Sequence, residues 1–319
     1  MRILLALVML VGAANAALAQ SWPSRPLRLV IPFAPGGGAD IAGRVIGQEL
    51  SDVLQQSVVI ENRTGAGGTI APNNVATSPP DGYSLVLGHL GGIAIAPHLY
   101  KDLPFDPIND LAPVTLVVNG LSVLVVNPDL PVKSVGELIA HAKANPGQLS
   151  FSSAGSGTDT HLAGELFKSM TGTTMVHVPY RGGAPALVDL LAGRVQLAFA
   201  SVATTISAIQ AGKLRALAMT GKNHFEGLPG VPTIAESGVP GYEINNWYGI
   251  FAPANTPQTV IQRLNTETIK ILQKPDVRAK LIAAGLEPMW STPTEFADYV
   301  RAETAKWRKI VVDSGATAN

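Results

Sequence analysis

The sequence predicts an α/β fold, with parallel sheets covered by helices, on three observations. Short apolar, β-branched runs alternate with segments whose apolar residues recur every three to four positions. Several of those segments open on helix-capping residues. Four glycine-rich turns stand at helix starts, two in the first half of the chain and two in the middle.

The first strand is Leu27–Phe33 (LRLVIPF), short and flanked by prolines. A glycine turn follows, and then a helix on which Ile41, Val45, Ile46, Leu50, Val53 and Leu54 keep a period of about 3.6. Further strands are read at SVVIENR, GYSLVLG, LSVLVVN, GQLSFSS, TTMVHVPY, VQLAFAS and KLRALAMT. Between them lie helical patterns at Val135–Ala144, His161–Met170, Ala184–Leu191 and Val202–Gln210. Ser134 and Glu137 form a capping box, and Thr292, Pro293 and Glu295 repeat it with proline at the first helical position. Thr256 and Pro257 open a helix running to about Gln273, so the chain after Trp247 reads as one strand, NWYGIFAP, followed by helices.

Composition narrows the class of protein. The chain has 319 residues, 46% hydrophobic and 14% charged, enough for roughly two domains of about 150 residues. Residues 1–20 carry one charge, Arg2, then an apolar stretch that fades into alanines and ends in Ala17–Ala19, the pattern of a secretory signal cleaved before Gln20. The stretch falls short of the roughly 20 residues of a membrane span. Of 23 basic and 23 acidic residues, loss of Arg2 leaves 22 against 23, a net charge of −1. With no basic excess or cluster, nucleic acid is not an expected partner. The absence of cysteine excludes disulfides, thiolate catalysis and Cys-ligated metals.

The glycine turns are PGGGAD (Pro35 to Asp40), GAGGT (Gly65 to Thr69), SAGSGTDTH (Ser153 to His161) and YRGGAPA (Tyr180 to Ala186). Two pairs in two α/β blocks predict two lobes that aim helix N-termini at a common cleft, although any single turn of this kind is commonly structural. A phosphate loop would need a lysine that is missing after Gly38, and a dinucleotide fingerprint fails because Ile41 stands in the third glycine's place. The nucleophile elbow is absent around Ser156, where Ala154 replaces its first glycine. His161 and Glu165 are one turn apart without further metal ligands in sequence; His177 reads as a core histidine. Trp247 and Tyr248 either flank a ligand or pack a lobe junction. No catalytic residue, metal or cofactor is expected.

What remains is capture of an anion. One helix end contributes about 0.3–1 kcal/mol, whereas micromolar affinity needs about 8 kcal/mol. Charge-assisted hydrogen bonds from backbone N–H groups, at about 1.5–3 kcal/mol each, close the gap. Glycine keeps side chains out of their way.

Seven ordered blocks, from WPSRPLRLVIPFAPGGGADIAGRVIGQEL through VVIENRTGAGGTIAPNNVA, PDGYSLVLG, LPFDPINDLAPVTLV, FSSAGSGTDTHLAGELFKSMTG and VHVPYRGGAPALVDLLAGRVQLAF to VPTIAESGVPGYE with WYGIFAPANTP, resemble the Bug-type extracytoplasmic receptors of tripartite tricarboxylate transporters. The likeness covers nearly all of the chain after residue 20. It implies a type II periplasmic binding protein, a Venus-flytrap with a ligand cleft between two lobes: residues 21–123 plus 247–319 in one, 124–246 in the other. By position it implies first-lobe contacts at Phe33, Pro35, Gly36, Gly37, Gly38, Ala39 and Asp40, at Gly65, Ala66, Gly67, Gly68 and Thr69, and at His89 and Leu90. It places second-lobe contacts at Ser153, Gly155, Ser156, Gly157, Thr158, His161, Tyr180, Arg181, Gly182, Ala200 and Ser201; Trp247 completes the candidate site.

The implied function is a periplasmic, non-catalytic, monomeric receptor that delivers a small organic carboxylate to the membrane permease subunits of such a transporter. Two departures bear on the ligand. Gly88–Gly91 reads Gly-His-Leu-Gly where relatives commonly carry small hydroxyls, and Ala200 stands where many carry an aspartate. A buried ammonium without a counter-charge is costly, so the expected ligand lacks an α-amino group. A sensing role for a membrane kinase and an exported enzyme acting on organic acids are the alternatives.

Overall fold

The computed structural model describes residues 22–314; the signal sequence read at residues 1–20 lies outside them. The first sheet opens with β1 (Leu27–Ile31), which pairs in parallel with β2 (Val58–Asn62) and β3 (Ser84–His89). Helix α1 (Gly38–Leu54) links β1 to β2 and lays Ala42, Ile46, Leu50 and Leu54 on the sheet. Gly43 and Gly47 permit that approach: a methyl group at either would lie 2.4 Å from Ile31 or 2.7 Å from Ile60. A tight turn at Ala66–Gly68 leads into α2 (Ile70–Ala76). After β3 a wide turn at Gly91–Ile95 runs into α3 (Ala96–Leu99).

The chain then crosses between sheets. Strand β4 (Leu111–Gly120) closes in the first sheet, and β5 (Ser122–Val126) opens in the second with Leu121 alone between them. The second sheet adds α4 (Val135–Ala144), β6 (Ser150–Ser153), α5 (Asp159–Thr171), β7 (Val176–Pro179), α6 (Gly183–Leu191), β8 (Leu197–Ser201), α7 (Val202–Gln210) and β9 (Arg215–Met219). The return runs through β10 (Asn246–Pro253), α8 (Gln258–Gln273), α9 (Pro275–Ala283), β11 (Leu286–Pro288) and α10 (Pro293–Ser314). The strand orders are β11-β4-β10-β3-β1-β2 and β7-β6-β8-β5-β9.

Both sheets are mixed, which corrects the expectation of parallel sheets. β10 runs antiparallel to β3 and β4, and β5 antiparallel to β8 and β9. These are the strands by which the chain changes lobes, and they enter their sheets from the opposite end to the strand–helix–strand units. At the crossing Asn246 pairs with Gly120. Beyond it the Ser122 carbonyl accepts the Thr220 N–H (3.0 Å) and hydroxyl (3.1 Å), while the Ile244 N–H donates to the Thr220 carbonyl at 2.9 Å.

The strand readings above omit β4 and β11. Pro113 breaks the look of a strand in β4, and it sits at a register shift opposite Phe251, where a missing N–H is tolerated. The cap at Thr292 forms reciprocally: Glu295 N–H donates to its hydroxyl at 3.2 Å, and Thr292 N–H to the Glu295 carboxylate at 2.8 Å. Ser134 accepts the Glu137 N–H at 3.1 Å, but the Glu137 carboxylate reaches back to the Lys133 N–H at 2.7 Å. Thr256 caps nothing; its hydroxyl donates to the Pro253 carbonyl at 2.8 Å.

Candidate functional site

Helices α1, α5, α6 and α7 start against one another across the lobe junction. α1 begins after Gly37 and α6 after Gly182, neither with a side-chain cap. α7 follows Ser201 directly, and α5 is capped by the Thr158 hydroxyl, which accepts the His161 N–H at 3.3 Å. Four positive helix ends and their free N–H groups therefore converge. The inner cavity there has a volume of about 40 Å³.

Phe33, Gly37, Gly38, Ala39, Ser153, Ala200 and Ser201 of the expected contacts line this cavity. A second, more open hollow of about 530 Å³ shares Phe33 and Ala154 with it. Gly65, Ala66, Gly67, Gly68, Gly155, Ser156, Tyr180 and Arg181 line that one. The lobes touch along it: the Tyr100 hydroxyl donates to the Ser156 carbonyl at 3.3 Å, and the Ala34 N–H to the Arg181 carbonyl at 3.4 Å.

Other expected residues stand behind the walls. Asp40 accepts the Gly36 N–H at 3.0 Å, Asn62 Nδ2 at 2.9 Å and Arg44 Nε at 2.8 Å, bracing the Pro35–Gly37 turn. Burial raises its pKa, but the bonds from Arg44, Gly36 and Asn62 outweigh that and leave it lowered. The Thr69 hydroxyl donates to the Ala66 carbonyl at 2.8 Å, and that of Thr158 to the Gly155 carbonyl at 2.7 Å. His161 accepts the Gly157 N–H on Nδ1 at 3.1 Å and stacks on His177, ring centres 4.0 Å apart. His177 is half-buried rather than core, and its Nε2 lies 2.6 Å from Ser153 Oγ. Burial first, then the neighbouring His161 and Lys168, push it down to about 3.

Pro35, Gly36, Gly157 and Gly182 likewise line neither hollow, and three further expected contacts stand away from both. His89 is fully buried beneath the Gly65–Gly68 turn, where Gly91 N–H donates to its Nδ1 at 3.1 Å and Phe33 meets it edge-on at 4.7 Å. Burial pushes this imidazole down to about 3, so it is neutral. Leu90 is a core residue. Trp247 packs against Phe251, Phe296 and Tyr299 because strand alternation turns its neighbours Asn246 and Tyr248 to the cavity instead.

The cavity also takes residues that sequence reasoning missed. Ser152, Asp159, Thr160, Gly183, Thr204 and Asn246 supply its polar part. Ala186, Leu187, Leu190, Ala198 and Phe199 make an apolar wall. The hydroxyls of Ser152, Ser201 and Thr204 are buried without a hydrogen-bond partner in the protein. Asp159 is 5% exposed, and burial, opposed by its own N–H and that of Thr160, pushes its pKa up to about 7. Asp159 had no distinguishing signal, since an acid in a helix's first turn is ordinary. Among the described residues, no Lys, Arg or His lines the inner cavity, and no group of three or more His, Cys, Asp or Glu is placed to hold a metal.

Comparison with known proteins agrees with this architecture. Residues 42–316 match the model of the tripartite tricarboxylate transporter family receptor. The chain is 36% identical over 306 residues to Protein BugT of Bordetella pertussis, covering 96% of this chain and 94% of that one. Among solved structures, R. palustris Rpa4515 with adipate superposes with a TM-score of 0.91 at 38% identity, over 93% of this chain and 99% of that one. MatC from Rhodopseudomonas palustris with bound malate gives 0.87 at 31% identity, over 91% and 100%. At 14% identity and a TM-score of 0.53, PhnD1 from Prochlorococcus marinus shares the fold alone. The chain therefore belongs to the tripartite tricarboxylate transporter receptors, the Bug-type two-lobed solute-binding proteins, which are receptors and not enzymes.

Proposed function

We propose that this protein is exported to the periplasm, where it binds a small organic carboxylate without an α-amino group and hands it to the permease subunits of a tripartite tricarboxylate transporter. The observation that carries the reading is a cavity with three uncapped helix starts and three partnerless hydroxyls, but no cationic side chain. Carboxylate oxygens would take the N–H groups around Gly37–Ala39 and Gly183 with the hydroxyls of Ser201 and Thr204. The wall of Ala186, Leu187 and Leu190 suits a short methylene chain. Two solved relatives carry adipate and malate, acids of that description. The reading assigns residues 21–123 with 247–319 to one lobe and 124–246 to the other, supported by the change of sheet between Gly120 and Ser122.

The test is a thermal-shift panel of aliphatic di- and tricarboxylates, aromatic acids and amino acids on the mature protein. Stabilisation by carboxylates that lack an amino group is expected. Stabilisation by aspartate or glutamate alone defeats the ligand class, and no stabilisation by any acid defeats the receptor reading.

A further inference from the structure

Asp159 has no part in holding the ligand in the reading above, yet it is the one carboxyl among the described residues that line the inner cavity. It shares the cavity with the hydroxyl of Ser152, a residue 1% exposed whose oxygen has no protein partner. The other titratable group there is Tyr248, from β10, whose hydroxyl accepts Asn246 Nδ2 at 3.1 Å.

Ionisable groups on the surrounding elements are engaged elsewhere. On α1, Asp40 is held by Arg44 and Asn62. On α5, His161 faces the Gly157 N–H and His177 of β7, and Glu165 pairs with Lys168 at 2.8 Å. On α6, Asp189 is taken by Tyr180 and Arg194. No side-chain cation therefore stands between Asp159 and an acid in the cavity.

Two carboxylates in one small hollow that holds no side-chain cation repel each other, and a single proton removes the conflict. We propose that Asp159 is a specificity-determining residue that carries a proton whenever a carboxylate occupies the cavity, so that binding takes up a proton wherever the free acid is ionised. The proton comes from the buffer and resides on Asp159; no bond of the ligand changes. The ligand then meets a neutral acid able to donate a hydrogen bond. This inference rests on the carboxylate-receptor reading.

Because burial outweighs the N–H groups of Asp159 and Thr160 and raises the free acid to about 7, the site is partly protonated at neutral pH and ionised at pH 8. Affinity should be flat just below pH 7, where the probes are still ionised, then fall about tenfold per pH unit above 7 until the bound-state value is passed.

The experiment is isothermal titration of the mature protein at pH 8 with adipate and, separately, malate as probes, in phosphate and in Tris. Both probes are fully ionised there, so any proton taken up belongs to the protein. The expected result is a difference in heat equal to nearly one proton per ligand, and a Kd that rises about tenfold from pH 7.5 to pH 8.5. D159N should lose both the uptake and the pH dependence. Equal heats in the two buffers overturn the proposal while leaving the receptor reading intact, as does uptake that persists in D159N. Tighter binding of a zwitterionic amino acid without proton uptake overturns it in favour of a charged Asp159. Absence of any binding heat with either acid, with no acid stabilising the protein in the thermal-shift panel, removes the receptor reading and this proposal together.

Discussion

A methyl group at Gly38, the first residue of α1, would lie 3.0 Å from Ser201 Oγ, so the helix start of one lobe and the strand end of the other meet with no room for a side chain. Gly38→Val puts a branched side chain into that gap, on a backbone whose φ is not positive. The expected outcome is a drop of about tenfold or more in carboxylate affinity by calorimetry, with the far-ultraviolet circular dichroism unchanged. Full affinity in this variant would separate α1 from the ligand site.

Gly67 approaches the second lobe even more closely: an added methyl would sit 2.3 Å from the Ser156 carbonyl, and its φ is +62°. Gly67→Ala should cost about 1 kcal/mol of stability for the left-handed backbone. Its larger effect should be to hold the lobes apart, read by small-angle scattering as a radius of gyration that no longer contracts when adipate is added.

Asp159 and His89 give stability opposite dependences on pH. Asp159, raised to about 7 when folded, binds more protons in the native than in the unfolded state between about pH 4 and 7, so stability falls as pH rises through that window. The loss approaches about 4 kcal/mol above pH 7. D159N should abolish it, and the ligand-free variant should melt higher than the parent at pH 8 by differential scanning calorimetry.

His89, depressed to about 3, leaves the unfolded state with more protons between about pH 3 and 6.5, so its share of stability is complete above 6.5 and drains as pH falls. Between pH 6.5 and 4 that amounts to about 3 kcal/mol. His89→Gln should be less stable at pH 7 because it disturbs the packing under Gly68, yet show a shallower acid limb in urea titrations. An unchanged limb would mean that His89 is protonated in the native state.

Trp247 is buried in an aromatic cluster, and its indole nitrogen has no partner. Trp247→Phe therefore gives up area but no hydrogen bond, and should cost about 1–2 kcal/mol in chemical denaturation. Ligand selectivity should not change. A shift in selectivity would place the indole closer to the ligand than the alternation of β10 allows.

The parts of the molecule legible in sequence are those set by local chemistry. Periodicity located α1, and Val135–Ala144 and Val202–Gln210 fell on the observed bounds of α4 and α7, because each of these helices buries one face and needs no distant partner to define it. Strand direction was not legible, since β5 and β10 read like any buried strand and their antiparallel pairing follows from where the chain changes lobes. The glycine turns announced free N–H groups at a cleft. They did not announce that Asp159, Thr204 and Tyr248, on three separate elements, would meet there. Leu90 and Trp247 were misplaced because a position beside a turn or an aromatic run says nothing about which way the side chain points.

Asn246 and Tyr248 are the first cavity-lining residues after the return crossing, and the two crossings are stapled to each other through Gly120, Ser122, Thr220 and Ile244. An occupant therefore bears on the strands that join the halves, not only on their faces. Whatever fills the hollow presses on the joint itself.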